Sequence, residues 1–381
     1  MNKILGYLSA ALLVVASTAC NGAEGEVFKI GVIGATTSHV PAFIKTINDP
    51  KGDELYQGFE VTGVYPGGAP DNPDSWNRVT EYTEFCKDAG LTVYSTVEEL
   101  VANVDGILLE SVDGRLHLEQ ARPVFAAKKP IFSSSSLRYV KAYQEAREGE
   151  SSVGEILGAD ATSPAPLEPH HPSLYWYGIH GVESLFTVLG PECKSVSRTG
   201  TTACDVVVGI WDGKRVGTFR GIRKGAAPYS CRLFGENGMA SVGDYEGYAP
   251  LVEQICQFFQ SGVSPVDKEE TINIYAFMTA ADMSRREKGK QVELEEAIEE
   301  AEEEEVLTVE LTTTAVSEVV WKDGENEKTV DYHDLGKLVE EALEEYDTVR
   351  YILDNREGIP YDTVIKIMDQ LSDARLANYL Y

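Results

Sequence analysis

The sequence predicts an α/β chain in three parts. These are a parallel-sheet domain over residues 27–137, a second α+β domain with an open antiparallel sheet over 138–294, and a small C-terminal α+β domain over 307–381. Three observations predict this. Strand and helix patterns alternate from Val27 to about Leu137, which gives parallel strands joined by right-handed crossovers. From Gly154 to about Gly289 the strands come in pairs joined by glycine-containing turns. An acidic helical run over 295–306 then separates a final stretch with apolar faces of its own.

The elements follow in order. VFKIGVIG is a short apolar run ending in a turn, the mark of a buried strand, and SHVPAFIKTIND continues as a helix that stops near Pro50. FEVTGVY is the second strand, and the helix SWNRVTEYTEFCKDAG closes at Gly90. TVYS, a helix around VEELVAN, the strand VDGILLE, the helix LHLEQARPVFAAK and the strand KPIFSSS complete the domain. CDVVVGIWDGKRVGTFRGI reads as a hairpin turning at Asp212-Gly213, and CRLFGENGMASVG as another turning at Glu236-Asn237-Gly238. The amphipathic helices YAPLVEQICQFFQSG and ETINIYAFMTAADMSRREKG each stop at a glycine. Beyond the linker come the strands LTVELTTTAVSEVVWKDG, EKTVDY, TVRYILDN and RLANYLY, with the helices DLGKLVEEALEEY and PYDTVIKIMDQLSDA between them.

A net charge of −29 argues against nucleic acid and against adhesion to anionic lipid, since no basic stripe is present to meet phosphates. At the N-terminus, Lys3 precedes the apolar stretch Ile4 to Ala16, too short to span a bilayer. Ser17-Thr18-Ala19-Cys20 follows and resembles a bacterial lipoprotein processing site, with residues 1–20 as the signal and Cys20 as the lipid-bearing residue. Plain secretion with cleavage after Ala19 is the alternative. Both readings make the chain exported, periplasmic or membrane-attached, with membrane contact only through a lipid anchor. The five other cysteines show no metal-type spacing and read as buried thiols.

KIGVIGATTSH, Lys29 to His39, is the stretch richest in chemistry. A strand that ends in a glycine turn and opens a helix is where a Rossmann-type domain holds a dinucleotide pyrophosphate. Gly34 keeps the first glycine of G-x-G-x-x-G, while Thr36 and His39 stand at the second and third. The hydroxyls of Thr36, Thr37 and Ser38 at a helix N-terminus suit phosphate. The second strand ends at Tyr65-Pro66, without an acidic group for a ribose hydroxyl, so NAD and NADP both stay open.

Residues 27–294 resemble the Gfo/Idh/MocA oxidoreductases. KIGVIG with its T-S-H loop, VDGILLESVDGRLH, GEILGADA, YGIHGVESLFTVLG, PLVEQICQFF and NIYAFMTAADMSRREKGKQVEL occur in the family's order. The resemblance implies hydride transfer between NAD or NADP and a sugar or polyol hydroxyl. His180 would be the acid/base residue, and Asp113 would stand near the nicotinamide end of the cofactor. The family's E-K-P-like motif has no counterpart. Lys128-Lys129-Pro130 precedes the strand PIFSSS, and either Ser134-Ser135-Ser136 occupies the motif or a strand and helix carrying it are missing. Trp176 replaces the aspartate four residues before His180. Packing of His180 within its helix is the alternative to catalysis. Glu168-Pro169-His170-His171-Pro172 and the aromatic trio ending at Tyr177 suit a sugar, through His170, His171 and Tyr177, with ordinary core packing at a helix start as the alternative for the trio. Arg220 and Arg223 suit a carboxylate or stand as exposed strand cations. Adjacent His170 and His171 point apart and do not make a metal site.

The final domain resembles the periplasmic domain of the ExbD/TolR biopolymer-transport family, through VRYILDN and IPYDTVIKIMDQLSDA. That family's membrane helix with its ion-coupling aspartate is absent, so the resemblance implies self-association or an envelope partner. Three readings remain open from sequence: an exported oxidoreductase, a carbohydrate-binding protein on the same fold, and an envelope interaction protein.

Overall fold

The computed structural model describes residues 27–303 except 244 and, beyond them, 306–315, 318–323, 326–331, 337 and 348–354. Residues 1–26, with Cys20, lie outside the described residues, as do the segment 360–381 and most of the helix expected over 334–346. The chain divides into two units, the first ending at Leu294 and the second beginning at Glu295.

The first unit begins with β1 (Phe28–Ile33), α1 (His39–Ile47), β2 (Phe59–Tyr65), α2 (Pro73–Asp88) and β3 (Thr92–Val93). It continues with α3 (Val97–Ala102), β4 (Gly106–Leu109), α4 (His117–Ala126) and β5 (Ile131–Phe132). The five strands are parallel in the order β3-β2-β1-β4-β5. Ile30, Val32 and Ile33 are buried, as a strand covered on both faces requires. The strand order reverses between β1 and β4, so a crevice forms outside their carboxyl ends. Asn72 caps α2 by accepting from Asp74 and Ser75 N–H, with Pro73 at the first helical position.

A connector and α5 (Lys141–Arg147) lead to β6 (Ile156–Pro164), α6 (Ile179–Leu189), β7 (Cys193–Gly200), β8 (Cys204–Trp211) and β9 (Arg215–Ile222). Then come β10 (Ser230–Gly235), β11 (Gly238–Val242), α7 (Ala249–Ser261), α8 (Lys268–Arg286) and β12 (Val292–Glu293). The seven strands run β11-β10-β6-β9-β8-β7-β12. The sheet is mixed, not wholly antiparallel as the hairpin signals led us to expect, because β6 and β9 pair in parallel. The chain leaves β6 through α6, so the meander β7–β8–β9 closes on β6 with its last strand running the same way. The β8–β9 hairpin turns at Asp212 (φ 46°) and Gly213 (φ 71°), the two positive dihedrals of a type I′ turn. Phe186, Trp211 and Phe277 stack between α6, the sheet and α8, with ring centroids 5.4–5.9 Å apart.

α7 follows the second sheet in the chain but packs into the first. Leu251, Val252, Ile255, Cys256 and Phe259 join Ile30, Phe43 and Phe132 in one core, and Phe28 stacks on Phe259 at 5.2 Å. The thiols of Cys86, Cys193, Cys231 and Cys256 are buried, and burial pushes them up to about 11 for Cys86 and about 12 for the others.

In the second unit, which takes in all of α9 (Leu294–Glu303) beyond its first residue, β13 (Val306–Ala315), β14 (Glu318–Asp323), β15 (Asn326–Asp331) and β16 (Thr348–Asp354) form a sheet in the order β15-β14-β13-β16. β13 pairs antiparallel with β14 and parallel with β16.

Candidate active site

The turn after β1 is tight. Gly34 has φ 96°, and a Cβ there would lie 2.4 Å from Ser111 N, so glycine is required where the loops after β1 and β4 meet. Thr36 is buried; its hydroxyl donates to Glu110 O at 3.2 Å and accepts from Val112 N–H at 2.9 Å. The residue at the second glycine position therefore ties β1 to β4. Among the described residues no protein acceptor takes the N–H of Thr36, Thr37 or Ser38, and these donors open α1.

His39 begins α1. Its Nδ1 lies 2.9 Å from Glu110 Oε2, and its ring meets Tyr248 edge-on at 4.8 Å. Ser38 Oγ lies 3.4 Å from the same Tyr248 hydroxyl. Across the crevice stands His180, near the start of α6. α6 presses onto the sheet because Gly181 has no side chain: a Cβ there would lie 2.3 Å from Phe219. Ser135, just beyond β5, puts Oγ 2.9 Å from His180 Nδ1. Tyr177 and Tyr229 flank the His180 ring edge-on at 5.0 and 6.2 Å. Burial first, and the charge on His39 second, push the His180 imidazole down to about 4, so the ring is neutral at ordinary pH. Burial and the hydrogen bond to Tyr177 push the Tyr229 phenol up, so it stays protonated.

Beside the crevice lies a charged clasp. Arg115 pairs with Asp113 at 2.8 Å and makes two 2.8 Å bonds to Asp71. Asn72 Nδ2 donates to Asp113 at 3.0 Å. His171 Nδ1 meets Glu168 at 2.5 Å, while Nε2 sits 3.1 Å from Asp113 without hydrogen-bond alignment. Burial opposes both charges, yet Arg115, Asn72 and His171 hold Asp113 well below the usual carboxylate range. Asp113 and Glu168 in turn raise the His171 imidazole against its own burial.

With this geometry in place, solved structures supply the comparison. An L. casei scyllo-inositol dehydrogenase (Lactobacillus casei), solved with bound NAD(H) and scyllo-inositol, is 14% identical at TM-score 0.55 over 71% of this chain and 100% of its own. A myo-inositol dehydrogenase from the same organism, in complex with NAD(H) and myo-inositol, is 15% identical at TM-score 0.51 over 70% and 96%. An oxidoreductase from Thermotoga maritima is 15% identical at TM-score 0.53 over 71% and 100%. Over about 70% of the chain the fold is that of these enzymes. The sequence resemblance is thus borne out at the level of fold. The family described as Biopolymer transport protein ExbD/TolR matches residues 273–379, beginning inside α8. A search of curated protein sequences finds no match.

The crevice brings together His180, His39, Ser38 and Tyr177 of the expected residues, with Gly34, Thr36 and Thr37 forming the turn at its edge. Asp113, His170 and His171 belong to the clasp, where His170 Nδ1 meets Glu168 at 2.7 Å. Arg220 is exposed and contacts Cys204 Sγ at 3.7 Å. Its neighbour Phe219 packs under α6, and strand alternation turns Arg220 to the other face, away from His180. Arg223 is held by Asp205 and by the carbonyls of Thr201 and Thr202. The aromatic trio divides: Tyr175 bonds Thr279 at 2.6 Å, Trp176 packs on His171 at 4.9 Å, and Tyr177 faces His180. Lys129 donates to the carbonyls of Val101 and Val104, ending α3 at the far end of the sheet. Glu110, Tyr229 and Tyr248 carry no motif that marks them in the sequence. A glutamate closing the apolar run GILLE was the signal for the first, while the tyrosines lie in loops without a motif.

Proposed function

We propose that this chain is an NAD(P)-dependent oxidoreductase acting on a hydroxyl of a sugar or polyol, exported and attached to the membrane by a lipid on Cys20. The observation that carries the reading is the neutral His180 imidazole, held by Ser135 and facing the phosphate-type turn across the crevice. The inositol dehydrogenases with bound NAD(H) support it by their shared fold.

The residues present fit a dinucleotide at its phosphates. The unclaimed N–H groups of Thr36, Thr37 and Ser38, and the hydroxyls of Thr37 and Ser38, would hold the pyrophosphate at the α1 N-terminus. A nicotinamide bound there supplies the hydride acceptor for alcohol oxidation. His180 presents Nε2, which has no protein partner among the described residues, to the substrate hydroxyl. Ser135 fixes the ring plane, and Tyr177 and Tyr229 offer faces and hydroxyls to a ring polyol. An imidazole of the crevice takes up the hydroxyl proton.

The test is absorbance of reduced nicotinamide with NAD or NADP and a panel of sugars and inositols. Turnover is expected, and His180→Ala should lower it about 100-fold or more with cofactor affinity unchanged. No reduction with any of the panel would sink the reading. One observation favours carbohydrate binding without redox chemistry: Lys129, the lysine that precedes Pro130 in the motif-like run, is committed at the opposite end of the sheet. That reading predicts thermal stabilisation by a polyol with no absorbance change. The second unit, by its ExbD/TolR match, would mediate self-association or an envelope contact. Deleting residues after Glu305 should leave the first unit folded and alter assembly.

A further inference from the structure

We infer that His39, oriented by Glu110, is the residue that takes the substrate proton, while His180 holds the hydroxyl in place. The inference rests on the oxidoreductase reading above and goes beyond it.

The two imidazoles of the crevice differ in what fixes them. Glu110 Oε2 lies 2.9 Å from His39 Nδ1, and a carboxylate only accepts. His39 Nδ1 therefore carries a hydrogen, and in the neutral ring Nε2 is the basic nitrogen. Among the described residues His39 Nε2 has no protein partner. His180 Nδ1 instead meets a serine hydroxyl, which either donates or accepts, so its tautomer is not set and no anion stabilises its charged form. A carboxylate behind an imidazole is the arrangement that orients a general base and stabilises the imidazolium it becomes. Glu110 is also placed to answer the positive end of α1, where an unpaired imidazolium is disfavoured.

The surroundings hold His39 still. Tyr248, in the loop before α7, meets its ring edge-on, and Phe43, one turn along α1, lies 5.4 Å away. The titratable groups facing it are Glu110 from the end of β4, Tyr248 from that loop, and His180 from α6. The last is close enough for the charge on one ring to act on the other. In the oxidation of a secondary alcohol, the C–H electron pair leaves as hydride to the nicotinamide acceptor named above. The O–H bond breaks, its proton goes to His39 Nε2, and the carbon becomes a carbonyl. This gives a purpose to a histidine at the third glycine position, where phosphate binding alone asks for no ring.

Two measurements on the full chain test it. In two-bond ¹H–¹⁵N correlation spectra of the cofactor-free protein, neutral His39 should appear as the Nδ1–H tautomer, and Glu110→Gln should remove that preference. A neutral Nε2–H tautomer would overturn the inference. In nicotinamide-linked oxidation of myo-inositol and scyllo-inositol, His39→Gln should lower kcat about 100-fold or more, with cofactor dissociation constant within about threefold. Retained kcat with weakened cofactor binding would make His39 a phosphate ligand and overturn it. If the wild-type chain oxidises neither inositol nor any of the sugar panel, the oxidoreductase reading fails and this inference with it, whereas the spectra still report whether Glu110 sets the tautomer.

Discussion

Arg138→Met should be among the most damaging single substitutions in the first unit. Arg138 stands in the connector between the two sheets, and only 4% of its side chain is exposed. Its Nε donates to Glu183 on α6, and Nη1 donates to Glu270 on α8 at 2.6 Å. Glu270 has a second partner in Arg147 at 2.6 Å, but among the described residues Glu183 has no other cation. Burial already raises the Glu183 carboxyl, with Arg138 opposing the rise. Removing Arg138 leaves that carboxylate buried and uncompensated, a situation that costs about 3–5 kcal/mol. For a unit of this size about 2–4 °C is lost per kcal/mol, so Tm should fall by roughly 6–20 °C. The assay is thermal unfolding of the full chain followed by circular dichroism at neutral pH, paired with urea titration. The double variant Arg138→Met/Glu183→Gln should recover part of the loss, since it removes the stranded charge along with its partner. A Tm shift below about 2 °C, or a double variant no more stable than Arg138→Met, would mean that the stranded Glu183 charge is not what destabilises the variant.

Two further predictions concern the clasp and the turn, and a third concerns the far end of the sheet. The folded-state pKa of His171 is raised, so its stabilising contribution is fully present below the ordinary imidazole value of about 6.5 and is lost as pH rises through the folded value. Urea midpoints should fall across that window. His171→Gln should flatten the dependence and cost about 1.5–3 kcal/mol at pH 6, where an unchanged slope would exclude the clasp as its source. Gly34→Ala forces a side chain at φ 96° against Ser111 and should cost at least about 2 kcal/mol and abolish dinucleotide binding, read by urea unfolding and by titration with NADH. Lys129→Met should reduce stability by about 1–3 kcal/mol yet leave turnover intact; loss of turnover at unchanged stability would return the lysine to catalysis.

Much of the fold was legible because its signals are local. KIGVIG is apolar at every position that the parallel sheet buries on both faces, and Asp212-Gly213 carries the two residue types that accept the dihedrals of its turn. The parallel pairing of β6 with β9 left no such mark, since it depends on where α6 returns the chain. The site was legible in part. His180 and the turn at Gly34 stood out by motif. Arg220 read as a ligand by type alone, and one residue of strand phase places it on the other face of the sheet. Glu110 and Tyr248 meet His39 from 71 and 209 positions away in sequence, as the separation 39 to 110 and 39 to 248 requires, and no local pattern announces such contacts.

The central claim is that the turn from Gly34 to His39 holds a nicotinamide dinucleotide. Native mass spectrometry of the purified chain with NAD(H) and NADP(H) tests it most directly. The account predicts one dinucleotide per chain, lost in Gly34→Ala under conditions where that variant remains folded. A chain that carries no dinucleotide at millimolar concentration would contradict it.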